Sequence, residues 1–322
     1  MERPYILHMF TPGRQMSPFD INMAADAGYQ LVVPYADVGL DAVSGMTQDT
    51  IFSRGPKGVT RTGIFIGGRD ALLAADMLER AKSAMFKPFI VSLMADPSGA
   101  YTTAAAMVAC VEAALQRAHR RGNASSPSGG GTGEARTWGQ TSDLADRRVV
   151  VFGGTGPVGR IAAVLAAQAG AQVQISSRGG AEAAQQAASE TARRFGVTLH
   201  GVSGSEQKAV RASLSSADVV LACAAAGVQV LSADDLAVAT RLLVAADLNA
   251  VPPAGIAGVD VMDNAKPIAG GTALGIGALA IGNVKYQTQH RLLVQMREAE
   301  KAVALGFAEA MATARAVLAE AA

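Results

Sequence analysis

The chain has 322 residues, half of them hydrophobic and 17% charged, with 28 basic against 27 acidic side chains and a formal net charge of +1. That composition excludes an intrinsically disordered chain, and its charge balance gives no reason to expect nucleic acid or an anionic membrane as partner. It fits one large domain or, better, two domains sharing a cleft, with enough apolar surface for a homo-oligomer interface.

Residues 1–10 lack the long apolar segment of a signal peptide and read as a first β-strand. Short apolar runs ended by turn residues predict strands at 31–35, 63–67 and 89–93. Between the last two, Leu72, Leu73, Met77, Leu78, Ala81 and Met85 recur at helical spacing and predict a helix over 70–86 with an acidic start. A second helix is expected over 102–119. This alternation favours a parallel sheet covered by helices. No run of about eighteen apolar residues passes without Gly or charge, so no membrane span is expected. Cys110 and Cys223 sit in Ala/Val-rich runs and read as small, unpaired core residues of a cytoplasmic protein.

A Gly/Ser-rich stretch without periodicity then divides the chain. It is expected to be a flexible linker or insertion over 121–142. Before it lies an amino-terminal α/β domain, 1–120, and after it a Rossmann-type domain, 143–270. The latter carries predicted strands at 148–152, 172–176, 218–222 and 242–246, with helices over 157–170 and 180–195. The last segment, 271–322, becomes helical from 284 onward. It is too apolar to stand alone in water and should fold back onto the amino-terminal domain. The fold class is therefore α/β, with two domains, the amino-terminal one completed by the carboxyl-terminal helices.

The sequence Gly154-Thr155-Gly156-Pro157-Val158-Gly159 lies directly between a predicted strand and a predicted helix. Dinucleotide chemistry needs this arrangement. Gly154 permits a tight turn, Gly156 lets backbone amides approach a pyrophosphate, and Gly159 lets helix and strand pack closely. The helix amino terminus adds partial positive charge. The second strand ends in Ser177-Arg178, where a site selective for NAD usually carries an acidic residue. An Arg there accommodates the 2′-phosphate of NADP; with no second base nearby, use of NAD as well is expected. Ala224, on a later strand end, leaves room for the nicotinamide ribose. Asp247 and Asn249 are candidate polar contacts to it, or ordinary loop caps.

Several further runs make the chain recognisable: 153–159, 246–253 and 276–285, together with 18–20, 50–55, 64–68 and 96–106. With them the chain resembles the bacterial NAD(P)-dependent methylenetetrahydromethanopterin dehydrogenases over nearly its whole length. The resemblance implies a pterin carrier bound in the cleft between the two domains, and hydride transfer from its methylene carbon to NADP or NAD during formaldehyde oxidation. It also implies a homo-oligomer, a trimer or a multiple of one. The family has a strictly NADP-dependent branch and one using either dinucleotide; the lone Arg178 favours the second.

The resemblance further implies cleft residues. Asp20 and Asp96, at loop–helix boundaries, would hydrogen-bond the pterin or favour the developing cation, unless they are helix caps. Thr102 and Thr103 offer hydroxyls at a helix start, with capping as the equal alternative. Lys285, which the reading places at the start of a helix where a cation is poorly stabilised, would orient the pterin carbonyl. Gly277 is expected beside the dinucleotide. No general base is needed, because the product cation is delocalised over two nitrogens and no proton moves with the hydride. His8, His119, His200 and His290 fit no metal or triad spacing, and no metal is expected. Two other readings stay open: a methylenetetrahydrofolate dehydrogenase of similar architecture, and a non-catalytic NADP-binding sensor.

Overall fold

A computed structural model describes residues 3–124, 142–268 and 271–321. They form two compact units, Met1–Ala106 with Val284–Ala322, and Met107–Asn283. In the first unit the order is β1 (Ile6–Phe10), α1 (Pro18–Asp26), β2 (Leu31–Tyr35), α2 (Val43–Phe52), α3 (Pro56–Val59), β3 (Thr62–Ile66), α4 (Ala71–Ser83) and β4 (Ser92–Ala95). Every strand pairing here is parallel, in register from Ile6↔Leu31 to Phe10↔Ile66. A parallel sheet is covered on both faces, so its central strands are apolar throughout. Accordingly Leu7, Met9, Ile64, Phe65, Ile66, Leu93 and Met94 are all buried, each contributing roughly 1.5–3 kcal/mol of hydrophobic stabilisation. Asp70 caps α4 by accepting from the backbone amides of Leu72 and Leu73.

The strand expected at 89–93 starts three residues later and ends at Ala95. Phe89 instead belongs to an aromatic group with Phe52 and Phe86, which takes 86–90 out of the sheet. Helix α5 (Ala100–Ala124) runs beyond the expected 102–119. It therefore takes in 121–124, which the sequence reading assigned to the linker; the rest of that segment up to 141 lies outside the described residues. By length and composition Pro97–Ala118 would pass for a membrane span, but 83% of its most apolar 18-residue window is buried inside the protein. The division between the units falls within α5, after Ala106, rather than at 120.

The second unit continues with β5 (Arg148–Phe152), α6 (Pro157–Gln168), β6 (Gln172–Ser177), α7 (Gly180–Phe195), β7 (His200–Ser203), α8 (Gln207–Ser216), β8 (Val219–Ala222), α9 (Ala233–Leu236), β9 (Val244–Asp247), β10 (Asn264–Pro267) and β11 (Leu274–Ile276). Among the described residues these strands form one sheet in the order β10-β11-β9-β8-β5-β6-β7. Only β10 is antiparallel to its neighbour. The chain moves outward from β5 in one direction through β6 and β7, and in the other through β8 and β9. The two halves part at β5 and β8, whose carboxyl ends border the crevice where such sheets bind ligands.

The carboxyl-terminal segment differs from the single helical region expected. It comprises α10 (Ala278–Glu298), β12 (Ala304–Leu305) and α11 (Phe307–Glu320). Strand β12 pairs in parallel with β4, extending the first sheet. Conversely, β11 pairs with β9, so 271–283 belong to the Rossmann unit rather than to a carboxyl-terminal helical segment. Tyr101 of α5 donates its hydroxyl to the Ala71 carbonyl at 2.6 Å and meets the Phe307 ring edge-on at 5.5 Å, which seats α11 in the first unit.

Candidate functional site

In the Rossmann unit, β5 ends at Phe152 and the chain turns through Gly153 into α6, whose amino-terminal cap is Gly156. The turn's left-handed residue is Gly153, with φ +69°, rather than Gly154 as the fingerprint suggests. A Cβ on Gly153 would stand 2.7 Å from the Ala224 nitrogen and the Cys223 carbonyl oxygen. Gly154 packs against Ile175 and Gly159 against the Gly153 carbonyl, both too closely for a side chain. Gly156 differs: a Cβ there would meet only the Gly153 oxygen, at 3.4 Å. Its open side faces the crevice. Pro157 and Val158 form the first helical turn, where Pro loses nothing by lacking an amide hydrogen.

Beside this turn lies a cavity of about 410 Å3, lined by Gly153, Thr155 and Gly156, by 176–179 at the end of β6, by 223–225 at the end of β8, and by Gly204, Gln229 and Val230 among others. That volume suits a small-molecule site. Among the described residues that line it, Arg178 is the one cation and none is acidic. Ser177 is buried and accepts from the Gly179 amide at 3.1 Å, which shapes the loop and leaves Arg178 exposed at the rim. A pyrophosphate on the α6 amino terminus and a 2′-phosphate beside Arg178 both fit this donor set. Ala224 lines the cavity as expected.

Asp247, Asn249 and Gly277 do not line it. Asp247 accepts from the amides of Asn249 and Ile256, while Asn249 accepts from Gly227 and Val251 and donates to the Pro253 carbonyl. Their polar atoms are spent holding the 247–256 loop, which is the capping alternative. Gly277 packs on the 260–261 backbone, where a Cβ would come within 2.1 Å of the Asp260 oxygen. Gly204, Gln229 and Val230 line the cavity unanticipated; only the alignment of strand ends, such as Ser177↔Ser203, brings the β7 end to this place.

In the other unit, α1, the 96–102 segment and α10 bring together Asp20, Asp96, Thr102 and Lys285, with Gln289 as a member the sequence reading missed. Asp20 is 2% exposed. Its Oδ1 accepts from Gln289 Nε2 at 2.7 Å, while Oδ2 is buried with no hydrogen-bond partner. Gln289 Oε1 in turn accepts from Lys285 Nζ at 2.6 Å. The Lys285 ammonium also lies 3.6 Å from the centroid of the half-exposed Phe19 ring. Lys285 is not at a helix start. It is the eighth residue of α10, which begins at Ala278, so the positive end of the helix dipole does not act on it, and the charges of Asp96 and Asp20 favour its ammonium.

Asp96 is fully buried and accepts from the Tyr101 and Thr102 amides and from the Thr102 hydroxyl at 2.7 Å. It caps the start of α5, and Thr102 is committed to it. Thr103 remains half-buried. Gly99, at φ +70°, lets Lys285 lie against the loop: a Cβ there would be 3.0 Å from Lys285 Cε and 3.2 Å from Nζ.

Burial, then the charge of Asp96, raise the Asp20 pKa to about 7, against the Gln289 hydrogen bond and the Lys285 charge. Burial likewise raises Asp96, opposed by its bonds to Thr102 and by Lys285. Burial lowers Lys285, opposed by the two carboxylates. A carboxyl that ionises near neutrality, with one oxygen free, can accept a hydrogen bond or face a developing cation. Among the described residues no group of three His, Cys, Asp or Glu side chains could hold a metal ion.

A family profile described as "Methylene-tetrahydromethanopterin dehydrogenase, N-terminal" matches residues 18–98, a span that includes Asp20 and Asp96. The chain is 47% identical over 305 residues, 95% of its length and 96% of the relative's, to an "NAD(P)-dependent methylenetetrahydromethanopterin dehydrogenase" of Methylorubrum extorquens. A "Bifunctional protein MdtA" of the same organism is 31% identical over 298 residues, 92% of this chain and 94% of its own. Among solved structures, ligand-free 5-ketofructose reductase of Gluconobacter sp. strain CHM43 aligns over 98% of this chain and 99% of its own, at 15% identity and a TM-score of 0.49.

Proposed function

The chain belongs to the family of NAD(P)-dependent methylenetetrahydromethanopterin dehydrogenases, and on that premise we propose how its residues serve the reaction. The enzyme oxidises the methylene carbon between N5 and N10 of the reduced pterin carrier. That carbon gives up a hydride, C–H bond pair included, to NAD(P)+ and becomes the methenyl cation. The dinucleotide, when bound, supplies the acceptor carbon.

The observation that carries this assignment of roles is the buried Asp20 carboxylate with one oxygen unpaired and a part-buried ammonium nearby. A pterin ring offers N–H donors on one edge and a carbonyl beside them. Asp20 Oδ2 accepts from such an N–H, and Lys285 donates to the carbonyl. The ionised Asp20 also favours positive charge as it develops on the carrier. Asp96 and Thr102 act indirectly by fixing the start of α5, and the Thr103 hydroxyl is available to the ligand. None of these groups must take a proton. The rate rests on holding two carbons close and aligned.

Dinucleotide binding is assigned to Gly153, Thr155, Gly156, Ser177, Arg178 and Ala224, with the first turn of α6 completing the phosphate site. The absence of acidic groups among the described lining residues supports use of NADP, and the single Arg178 supports tolerance of NAD. We place the enzyme in the cytoplasm as a homo-oligomer, a trimer or a multiple of one. The free thiols of Cys110 and Cys223, both pushed up to about 12 by burial, support the first part. Exposed Phe52, Phe86 and Met262 support the second.

The folate-specific and sensor readings are not favoured, because the relative at 47% identity is named for the methanopterin carrier. The test is absorbance at 340 nm with methylenetetrahydromethanopterin or methylenetetrahydrofolate and each dinucleotide. Turnover with the methanopterin carrier is expected. Clear preference for the folate would refute the assignment, and no signal with either carrier would favour the sensor.

A further inference from the structure

We propose that Gln289 is a positioning residue of this site. Its side-chain amide holds the Asp20 carboxylate and the Lys285 ammonium in one fixed register, leaving the second Asp20 oxygen unpaired for a ligand N–H. The inference rests on the assignment of Asp20 and Lys285 to the pterin.

Gln289 is fully buried and 269 positions from Asp20 in the chain. Its orientation is dictated by chemistry. An ammonium can only donate and an ionised carboxylate can only accept. The amide oxygen therefore faces Lys285 and the amide nitrogen faces Asp20, and a flipped amide would break both bonds. Lys285 and Gln289 are four residues apart on one helix face, so their bond at 2.6 Å follows from helical spacing. The bond to Asp20 ties α10 to α1.

An interposed amide also does something a direct ion pair would not. Lys285 against Asp20 would occupy the carboxylate from the ligand side and spend the ammonium on it. With Gln289 between them, one hydrogen bond holds each group, and Asp20 Oδ2 stays buried and unpartnered. Gly99 closes the other side of Lys285, whose Nζ lies 3.2 Å from where a Gly99 Cβ would be. Asp96, behind it, is consumed by its bonds to Tyr101 and Thr102. The charged groups facing Gln289 are thus Asp20 and Lys285, with Asp96 acting on both by its charge.

The test uses steady-state kinetics of the full-length enzyme from about pH 5.5 to 9, with thermal unfolding and dinucleotide KM measured alongside. Gln289→Met keeps the volume and loses both bonds. It should lower kcat/KM for the carrier about 10- to 100-fold, the cost of misplacing a site by about 1 Å, with the dinucleotide KM unmoved. Gln289→Glu separates positioning from packing. A protonated Glu can donate to Asp20 and accept from Lys285, whereas an ionised Glu repels Asp20. Its activity should approach wild type in acid and fall away as pH rises. Gln289→Met within twofold of wild type, or Gln289→Glu following the wild-type pH profile throughout, would overturn the proposal. Should Gln289→Met not fold, Gln289→Glu decides. If wild type itself fails to oxidise the carrier, the reaction assignment falls; if it turns over and both variants match it, only the role of Gln289 falls.

Discussion

The Lys285 ammonium rests 3.6 Å from the centroid of the Phe19 ring, on the residue just before Asp20. A cation over an aromatic face gains about 0.5–2 kcal/mol, more as water is excluded. Phe19 thus helps Lys285 remain charged where burial alone would favour the neutral amine. Lys285→Met should reduce kcat/KM for the carrier by about 100-fold through lost alignment. Phe19→Leu should cost about three- to tenfold, in proportion to the ring's smaller contribution. Steady-state rates with saturating dinucleotide check both, and a Phe19→Leu loss equal to that of Lys285→Met would show the ring to be the primary contact.

The pKa of Asp20 carries a stability consequence whose sign is fixed. Its folded-state value, about 7, stands above the ordinary 3.8. The folded protein therefore binds this proton more tightly than the unfolded chain. The stabilisation is fully present below about pH 3.8 and is lost as pH rises through about 7. Asp20→Asn, neutral at every pH and able to accept from Gln289, should unfold at higher temperature than wild type at pH 8, by a few degrees if about 1 kcal/mol moves the midpoint roughly 2–4 °C. The gap should close toward acid pH. The same variant should lack the acid limb near pH 7 expected in wild-type kcat/KM and should be slow throughout; a limb that persists would assign it to another group.

Arg178 stands at the rim of the cavity beside the α6 amino terminus, whose described lining includes no acidic residue. Arg178→Ala should raise the KM for NADP about tenfold or more, the worth of a charge-assisted phosphate contact. The KM for NAD should hardly change. Unaltered NADP kinetics would show that the 2′-phosphate lies elsewhere.

Two glycines of the same turn should respond differently to alanine. Gly153→Ala sets a side chain at φ +69° and 2.7 Å from backbone atoms of 223–224, so the fold should lose about 1–3 kcal/mol. Gly156 has ordinary angles and an open side. Gly156→Ala should keep the wild-type unfolding temperature while weakening dinucleotide binding, because the methyl occupies the space the phosphates need. Unfolding curves and titration of NADPH fluorescence separate the two effects.

Much of the Rossmann unit was legible because its central strands, such as Val149-Val150-Val151-Phe152, are buried on both faces and so read as unbroken apolar runs. The Gly-rich turn marked where such a strand meets a helix. The turn's strained residue did not follow the motif, since φ at Gly153 is set by the approach of 223–224 from another strand. Phe89 looked like strand because its aromatic partners, Phe52 and Phe86, are recognisable only in three dimensions. Lys285 was given a helix start because Gly282 looked like a break, yet α10 runs through it. Asp20, Asp96 and Thr102 came from resemblance, and the fold separates the capping pair Asp96–Thr102 from the open carboxylate of Asp20. Gln289 had no local signal beyond its spacing of four from Lys285. One of three glutamines in α10, it acquires meaning only when α1 is laid against that helix.

The transfer itself can be followed with carrier deuterated at the methylene carbon. The enzyme is mixed with this carrier and NADP+, and the reduced dinucleotide is examined by NMR at its nicotinamide C4. Direct hydride transfer should place deuterium there, on one face, without dilution by solvent protons. Reduced dinucleotide carrying only solvent hydrogen at C4, or none formed from this carrier at all, would contradict the account.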